Sequence, residues 1–357
     1  MKTARGYLRR EIIYSTLLVL GAFLCLFAFF DFLAELEDLG KEGYRLKHAV
    51  IFVALSIPSR AYEVMPIAVL IGTLYALTQF ARNSELTVLR AAGVSTRQLL
   101  IALMRIGLFF VVLTFVLGEY VAPPLERIGQ KWRLRTTNAT VPQELRTGMW
   151  MRDGRLFVNV QRVLPDASLE TVKIYEFDSE HRLATLNVAK RGVYSVEQGW
   201  LLSEVVQTRF HGDRTELLNI PSLRWASELT PELISVVMVT PERMALASLY
   251  QYKRHLEANS QRTGRYAVAF WKKLVYPLVT LVMMVLALPF CLGNQRSVNV
   301  GARVLTGVML GIGFYLLNAL FSNLGVLNAW PALMSAALPS LLFFLLAVGL
   351  MWKVDRR

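Results

Sequence analysis

The chain carries few of the residue sets that do covalent chemistry. Its histidines, His48, His181, His211 and His255, form no H-E-x-x-H pair, so no helix offers two imidazoles and a general base to zinc. No G-x-S-x-G elbow presents a serine nucleophile. No Walker A loop cradles a nucleotide phosphate, so the chain is not expected to hydrolyse ATP or to be an enzyme. Four ionisable residues stand out by position: Arg60, Glu63, Arg105 and Glu119 lie near the ends of apolar blocks. They make no recognisable catalytic set, although Arg60 and Glu63 have the spacing to pair on one helix face. Cys25 and Cys291 lie inside apolar blocks and read as small core hydrophobes.

The elements that position these groups are membrane spans. Hydrophobic residues make up 54% of the 357 and the mean hydropathy is +0.42, too apolar for an ordinary soluble chain of this length. Apolar runs cover 12–30, 64–80, 106–117, 274–292, 304–320 and 332–352. A span needs about 20 residues at about 1.5 Å rise each. The second and third runs reach that length only by taking in Arg60, Glu63, Arg105 and Glu119, whose long side chains can snorkel. Lys2, Arg5, Arg9 and Arg10 precede the first run, but that run is long and no small-x-small cleavage site follows, so it is expected to stay as a span.

Charge sets the orientation. The net charge is +13. Threading the spans with the N-terminus inside places Arg82, Arg90, Arg97, Arg105, Arg296, Arg303, Lys353, Arg356 and Arg357 in the cytoplasm with the N-terminal cations, against Glu11, Glu85 and Asp355. The first external loop begins with Asp31, Glu35, Glu37 and Asp38. The positive-inside rule therefore predicts cytoplasmic termini and an external insert. The basic balance needs no nucleic acid, for which no zinc-finger spacing or RNA-binding signature is present.

Between the third and fourth runs lies a water-exposed insert of roughly 150 residues. Its segments 155–160, 171–177 and 200–206 alternate apolar and polar residues, and turn signals fall at 152–154, 164–166, 197–199 and 211–213. This predicts a sandwich or jellyroll-like β domain, held by its core alone because it has no cysteine. Thr240, Pro241 and Glu242 predict the start of a connecting helix reaching about residue 257. The predicted organisation is spans one to three in 1–123, with a short cytoplasmic helix near 83–97; the β domain and connecting helix in 124–266; and spans four to six in 267–357.

In that inner loop Ser84 can cap a helix, Leu86, Val88 and Leu89 give it an apolar face, and Gly93 ends it. So short a helix needs a docking surface. That surface is either its own bundle or a cytoplasmic partner, and the residues alone leave both open. Ser84, Glu85 and Leu86, continuing to Arg90, Ala91, Ala92 and Gly93, resemble the signature of the LptF/LptG family of lipopolysaccharide-export permeases. The resemblance extends to 118–123 (Gly-Glu-Tyr-Val-Ala-Pro), to Gly264, Arg265, Tyr266, Trp271, Lys273 and Pro277, and to Arg296, Ser297, Val298, Gly301, Arg303, Thr306 and Gly307. It runs from the first span to the last, and 119–123 and 296–307 resemble the G-type branch of that family more than the F-type.

The resemblance implies an ATP-binding-cassette (ABC) transporter subunit in a Gram-negative inner membrane, contributing to outer-membrane biogenesis through lipid transport. Such a G-type permease pairs with an F-type permease on a dimeric cytoplasmic ATPase, which uses ATP and Mg; the permease itself binds no cofactor or metal. Lipopolysaccharide would leave the outer leaflet for a periplasmic β-jellyroll bridge, through a single-span jellyroll protein and a bridge protein. By this likeness the ATPase-coupling residues are Ser84, Glu85, Leu86, Leu89, Arg90, Ala91 and Gly93. Spans one and five would form a lateral gate towards the partner permease; Phe23, Leu26, Phe27 and Phe30 follow helical spacing on span one and Phe314, Leu317 and Phe321 on span five, with lipid-facing packing as the plain alternative.

A substrate of acyl chains and phosphates needs apolar walls crowned by cations, because guanidinium groups pair with phosphate bidentately. Arg127, Lys131, Arg133 and Arg135 follow span three, the last three alternating with Trp132 and Leu134, while Lys41 and Arg45 follow span one. Interfacial snorkelling is the plain alternative for each. One departure stands out: the G-type pattern carries lysine at the outer end of span one, where this chain has Asp31 to Asp38. Rival readings are a permease for another lipid or lipoprotein and a membrane-anchored β-domain scaffold. Lipoprotein exporters usually have four spans with the large domain after the first, unlike this layout.

Overall fold

The computed structural model describes residues 2–37, 39–40, 44–137, 148–153, 156–163, 168–178, 180, 182–195, 199–211, 214–227, 240–258, 261, 263–292, 300–328 and 330–356. They group into two units. The helical unit comprises Met1–Ala34, Val53–Leu125 and Gly264–Arg357; the other comprises Glu35–Phe52 and Glu126–Thr263.

Helix α1 spans Lys2–Leu36 and α2 Leu46–Arg82; the short α3 is Glu85–Ala91. Helix α4, Thr96–Val116, passes through a π-helical turn, Leu117–Val121, into α5, Ala122–Thr137. Strands β1 to β6 follow, then α6 (Leu246–Ala258), α7 (Gly264–Leu292), α8 (Val300–Leu327) and α9 (Ala332–Asp355). Among the described residues six helices are long and apolar enough to cross a membrane. The second and third are longer than their apolar runs, because the helix continues through Arg60, Glu63 and Glu119.

Burial within the helical unit is uneven. The most apolar stretch of α2 is 78% buried and that of α1 only 6%, so α2 is the core and α1 a peripheral helix laid on it. Small residues make the close crossings, as expected where lipid supplies no hydrophobic drive between helices. A Cβ on Gly72 would lie 2.5 Å from Cα of Thr16, so α1 and α2 meet nearly backbone to backbone. On α8, Gly307 and Gly311 instead make room for side chains of α2: a Cβ there would lie 2.6 Å from Leu74 Cδ1 and 2.7 Å from Ile67 Cγ2. Helix α7 packs on α4 and α9.

The π turn has a local cause. Pro123 and Pro124 lack an amide hydrogen and crowd the carbonyls a turn earlier, so the α ladder cannot close over Glu119 and Tyr120. The backbone widens to a π turn there.

In the other unit β1 (Met149–Asp153), β2 (Leu156–Val163), β3 (Leu169–Phe177), β4 (Leu183–Ser195), β5 (Gly199–His211) and β6 (Arg214–Trp225) form one antiparallel sheet in chain order. This is the β insert the sequence predicts. One face buries Met149, Val158, Ile174, Trp200, Leu202 and Trp225. The alternation of that face shifts along a line across the strands. Val172, Ala189, Val205 and Ile220 form one paired inward row, and Leu169, Gly192, Leu202 and Leu223 another. Each of β3 to β6 carries two consecutive residues between these rows, where strict alternation allows one. They include Thr171 (φ 54) and Glu204 (φ 52), left-handed conformations that re-aim the side chains without changing the pairing register.

The connecting helix differs from its sequence reading. Pro241–Arg243 is a single 3-10 turn, and α6 begins only at Leu246. Met244 is extended (ψ 154) and 2% exposed, so its burial breaks the helix the Thr-Pro-Glu signal predicts.

Candidate functional site

The inner-loop segment forms as a helix. The Ser84 carbonyl accepts from the Val88 amide at 3.0 Å, opening α3, and Asn83 Nδ2 donates to Glu85 Oε1 at 3.4 Å. Gly93, with φ 87, adopts the left-handed conformation that stops a helix. Leu86 is 1% exposed and belongs to the core cluster of the helical unit, whereas Val88 is 65% exposed. One apolar residue thus anchors α3 on its own bundle and another points outward. Glu85 is half-buried and Ser84, Ala91 and Gly93 are exposed; for Leu89 and Arg90 the backbone alone is described. Next in the chain, Ser95 Oγ caps α4 by accepting from the Gln98 amide at 3.3 Å.

The acidic end of span one has internal partners. Arg60 Nε donates to Asp31 Oδ2 at 2.9 Å and its Nη2 to Asp31 Oδ1 at 2.6 Å, a bidentate clamp between α1 and α2. Arg60 Nη1 also donates to Glu63 at 3.0 Å, and its guanidinium lies 5.6 Å from the ring centroid of Phe27. In the other unit Glu35, 5% exposed, accepts from the Tyr44 hydroxyl at 2.8 Å. Glu37 is exposed, and Asp38 lies outside the described residues. Two of the acids that disturb the cationic pattern are therefore held internally.

A second charged contact crosses the helical unit. Lys273 Nζ of α7 lies 3.6 Å from Glu119 Oε2 in the π turn, with side chains 6% and 14% exposed. Beside it Gly118 leaves room for the Tyr62 ring, which lies 5.0 Å from that of Tyr276. Tyr276 donates its hydroxyl to the Glu63 carbonyl. The sequence reading missed Asp31 and Lys273 as partners of these ionisable residues. The available signal was a lysine adjoining the apolar run of span four, which burial obliges to meet an acid.

The predicted substrate contacts divide. Arg127 Nη2 donates to Ser248 Oγ of α6 at 2.6 Å, and Arg243 Nη1 pairs with the buried Glu126 at 2.9 Å, so the root of α5 is tied to the connecting segment. Lys131, Arg133 and Arg135 stand on α5 with only their backbones described. The segment is helical, so positions 127, 131 and 135 share a face and 133 does not. Arg45 is exposed and its amide donates to His48 Nδ1 at 3.1 Å; Lys41 lies outside the described residues. Of the gate candidates, Leu26 and Phe30 are exposed and Phe23 and Phe27 half-buried on α1. On α8, Phe314 is buried edge-on against Phe343 of α9 at 5.2 Å, Leu317 is half-buried, and Phe321 lies 6.5 Å from Trp330.

Among the described residues, six membrane-length helices interrupted after the third by a β-sheet domain, with a short helix anchored in the loop after the second, define the architecture of a multi-pass membrane protein. The profile of the family described as "Lipopolysaccharide export system permease LptF/LptG" matches residues 6–353, and the chain belongs to that family. It is 33% identical over 358 residues to the lipopolysaccharide export system permease protein LptG of Haemophilus influenzae, covering 100% of this chain and 99% of the relative. It is 31% identical to the protein of that name in Escherichia coli K12, covering 97% of each.

Proposed function

We propose that this chain is the G-type permease subunit of an ATP-driven lipopolysaccharide exporter in a Gram-negative inner membrane. It pairs with an F-type permease and two copies of a cytoplasmic ATPase. It draws lipopolysaccharide from the outer leaflet and passes it to a β-jellyroll bridge. The charge asymmetry of the loops supports cytoplasmic termini and a periplasmic insert. Cations on α5, at positions 127, 131, 133 and 135, supply anion-pairing groups where the chain leaves span three.

One observation carries the motor contact: α3 is pinned to its bundle by buried Leu86 while Val88 presents an apolar side chain outward. A helix that served only its own bundle would gain nothing from Val88 in water. ATP-driven movement of a partner seated on Val88 would be transmitted through Leu86 to the helical core. The variant Val88→Asp should lower co-purification of the ATPase at least about tenfold, as expected for a charge placed in an apolar contact. Undiminished co-purification together with undiminished ATP-dependent lipopolysaccharide release would overturn the coupling role.

A further inference from the structure

On the surface of the helical unit, away from the contacts above, a groove of about 610 Å3 opens between α4, α7 and α9. Leu100 and Met104 of α4, Val285 of α7, and Phe344 and Val348 of α9 form its walls. Met104, Phe344 and Val348 are exposed. The groove runs from Arg97 to Met104 along α4 and from Phe344 to Trp352 along α9, about 12 Å at about 1.5 Å per residue. That is a slot for a linear apolar chain.

Its polar residues lie at one end. Thr96 and Arg97 of the first turn of α4 line the mouth with Trp352. Arg97 is exposed, and the positive end of the α4 dipole adds to its charge. Arg356 stacks on Trp352, with its guanidinium carbon 3.6 Å from the ring centroid, and exposed Lys353 stands beside them in sequence. Among the described residues no acidic side chain lines the groove. In hydrocarbon the walls alone select nothing, because lipid tails are as apolar as leucine. Selection falls to the mouth, whose cations favour a phosphate, and tryptophan is at home at headgroup depth. Basic pockets between membrane helices hold anionic headgroups in this manner.

We propose that this groove binds one acyl chain of an anionic phospholipid, with the headgroup phosphate held by Arg97 and Arg356. The placement of the mouth in the cytoplasmic leaflet rests on the orientation proposed above; the binding site does not.

The test is native mass spectrometry of the purified, delipidated full-length chain mixed with phosphatidylglycerol or phosphatidylethanolamine of identical acyl chains. The wild-type chain should retain phosphatidylglycerol over phosphatidylethanolamine. The double variant R97Q/R356Q should lose that preference by about tenfold, since each cation near an anionic phosphate contributes several-fold. Val348→Trp, which fills the slot, should reduce both lipids. If the tryptophan variant does not fold, phosphatidylglycerol with a photoreactive acyl chain replaces it, and adducts should concentrate on α4 and α9 around Leu100 and Val348. Equal retention of the two lipids by the wild-type chain, an unchanged preference in R97Q/R356Q, or adducts spread evenly over α1 and α8 would overturn the site. None of these readouts involves the ATPase or lipopolysaccharide, so failure here is separable from failure of the export reading.

Discussion

The Asp31–Arg60 clamp predicts a measurable coupling between α1 and α2. Its two charge-assisted hydrogen bonds, 2.9 and 2.6 Å long, would each contribute about 1.5–3 kcal/mol in a shielded site. The Arg60 and Asp31 side chains keep 27% and 22% of their surface exposed, so water and headgroups screen part of this. Interhelical polar pairs in membranes couple by about 0.6 kcal/mol on average and about 1.7 at most. A bidentate ionic pair belongs near the top of that range. We therefore expect about 1.5 kcal/mol of coupling between D31N and R60Q, roughly tenfold in the unfolding equilibrium. The single variants should differ. D31N leaves Arg60 its bond to Glu63, whereas R60Q takes the shared cation from both acids and should cost about 2–3 kcal/mol. Unfolding of the full chain in mixed micelles by increasing dodecyl sulfate, followed by tryptophan fluorescence, measures all corners of the cycle. A coupling below about 0.3 kcal/mol, or D31N costing more than R60Q, would refute the clamp.

Three further outcomes follow from particular contacts. Gly72→Val should destabilise the same transition by about 1–3 kcal/mol, because the new Cβ meets backbone of Thr16 that cannot move aside; an unchanged midpoint would sink the close crossing. Thr171→Gly and Glu204→Gly should each stabilise the β domain by up to about 1 kcal/mol by relieving positive φ, read from the thermal midpoint, and a loss of stability from both would contradict the conformations described. The exposed Asp178 carboxylate accepts from the Arg182 and Glu180 amides, which lowers its pKa from the ordinary value. The β3–β4 turn should therefore be firm above the usual aspartate range and loosen as pH falls through the depressed folded value. Hydrogen exchange at the Glu180 and Arg182 amides that is the same in D178N as in the wild type at neutral pH would contradict this.

The span layout was legible because apolar residues come in blocks, and Gly93 was legible because a left-handed stop calls for glycine. Partners far apart in the chain were not. The acids after residue 30 read as a surface feature because Arg60 lies 29 positions beyond Asp31, and because Tyr44 is an unremarked tyrosine until it donates to Glu35. Strand β4 escaped the alternation test for another reason. Lys190 and Arg191 both face outward, so its apolar positions, Asn187 aside, change parity halfway along the strand. The cations Lys131, Arg133 and Arg135 alternate in sequence as a strand would, but the Pro-initiated helix decides their faces. α6 starts late because burial of Met244 outweighs the N-terminal signal.

The parity change across the sheet bears on how the strands find their partners. A domain without cysteine has no covalent lock against one strand sliding past the next. In a uniformly alternating ladder a two-residue slide restores every side chain to its proper face and is opposed only by the ends. Here such a slide would bring outward Lys190 opposite Leu202 in one direction, or outward Glu204 opposite Gly192 in the other, since the doubled outward positions no longer coincide on neighbouring strands. The seam works as an alignment mark, recognised wherever strands meet in the middle, and it penalises sliding by any small number of residues. A long β ladder joined through short turns thereby acquires a single preferred threading from the order of its side chains alone.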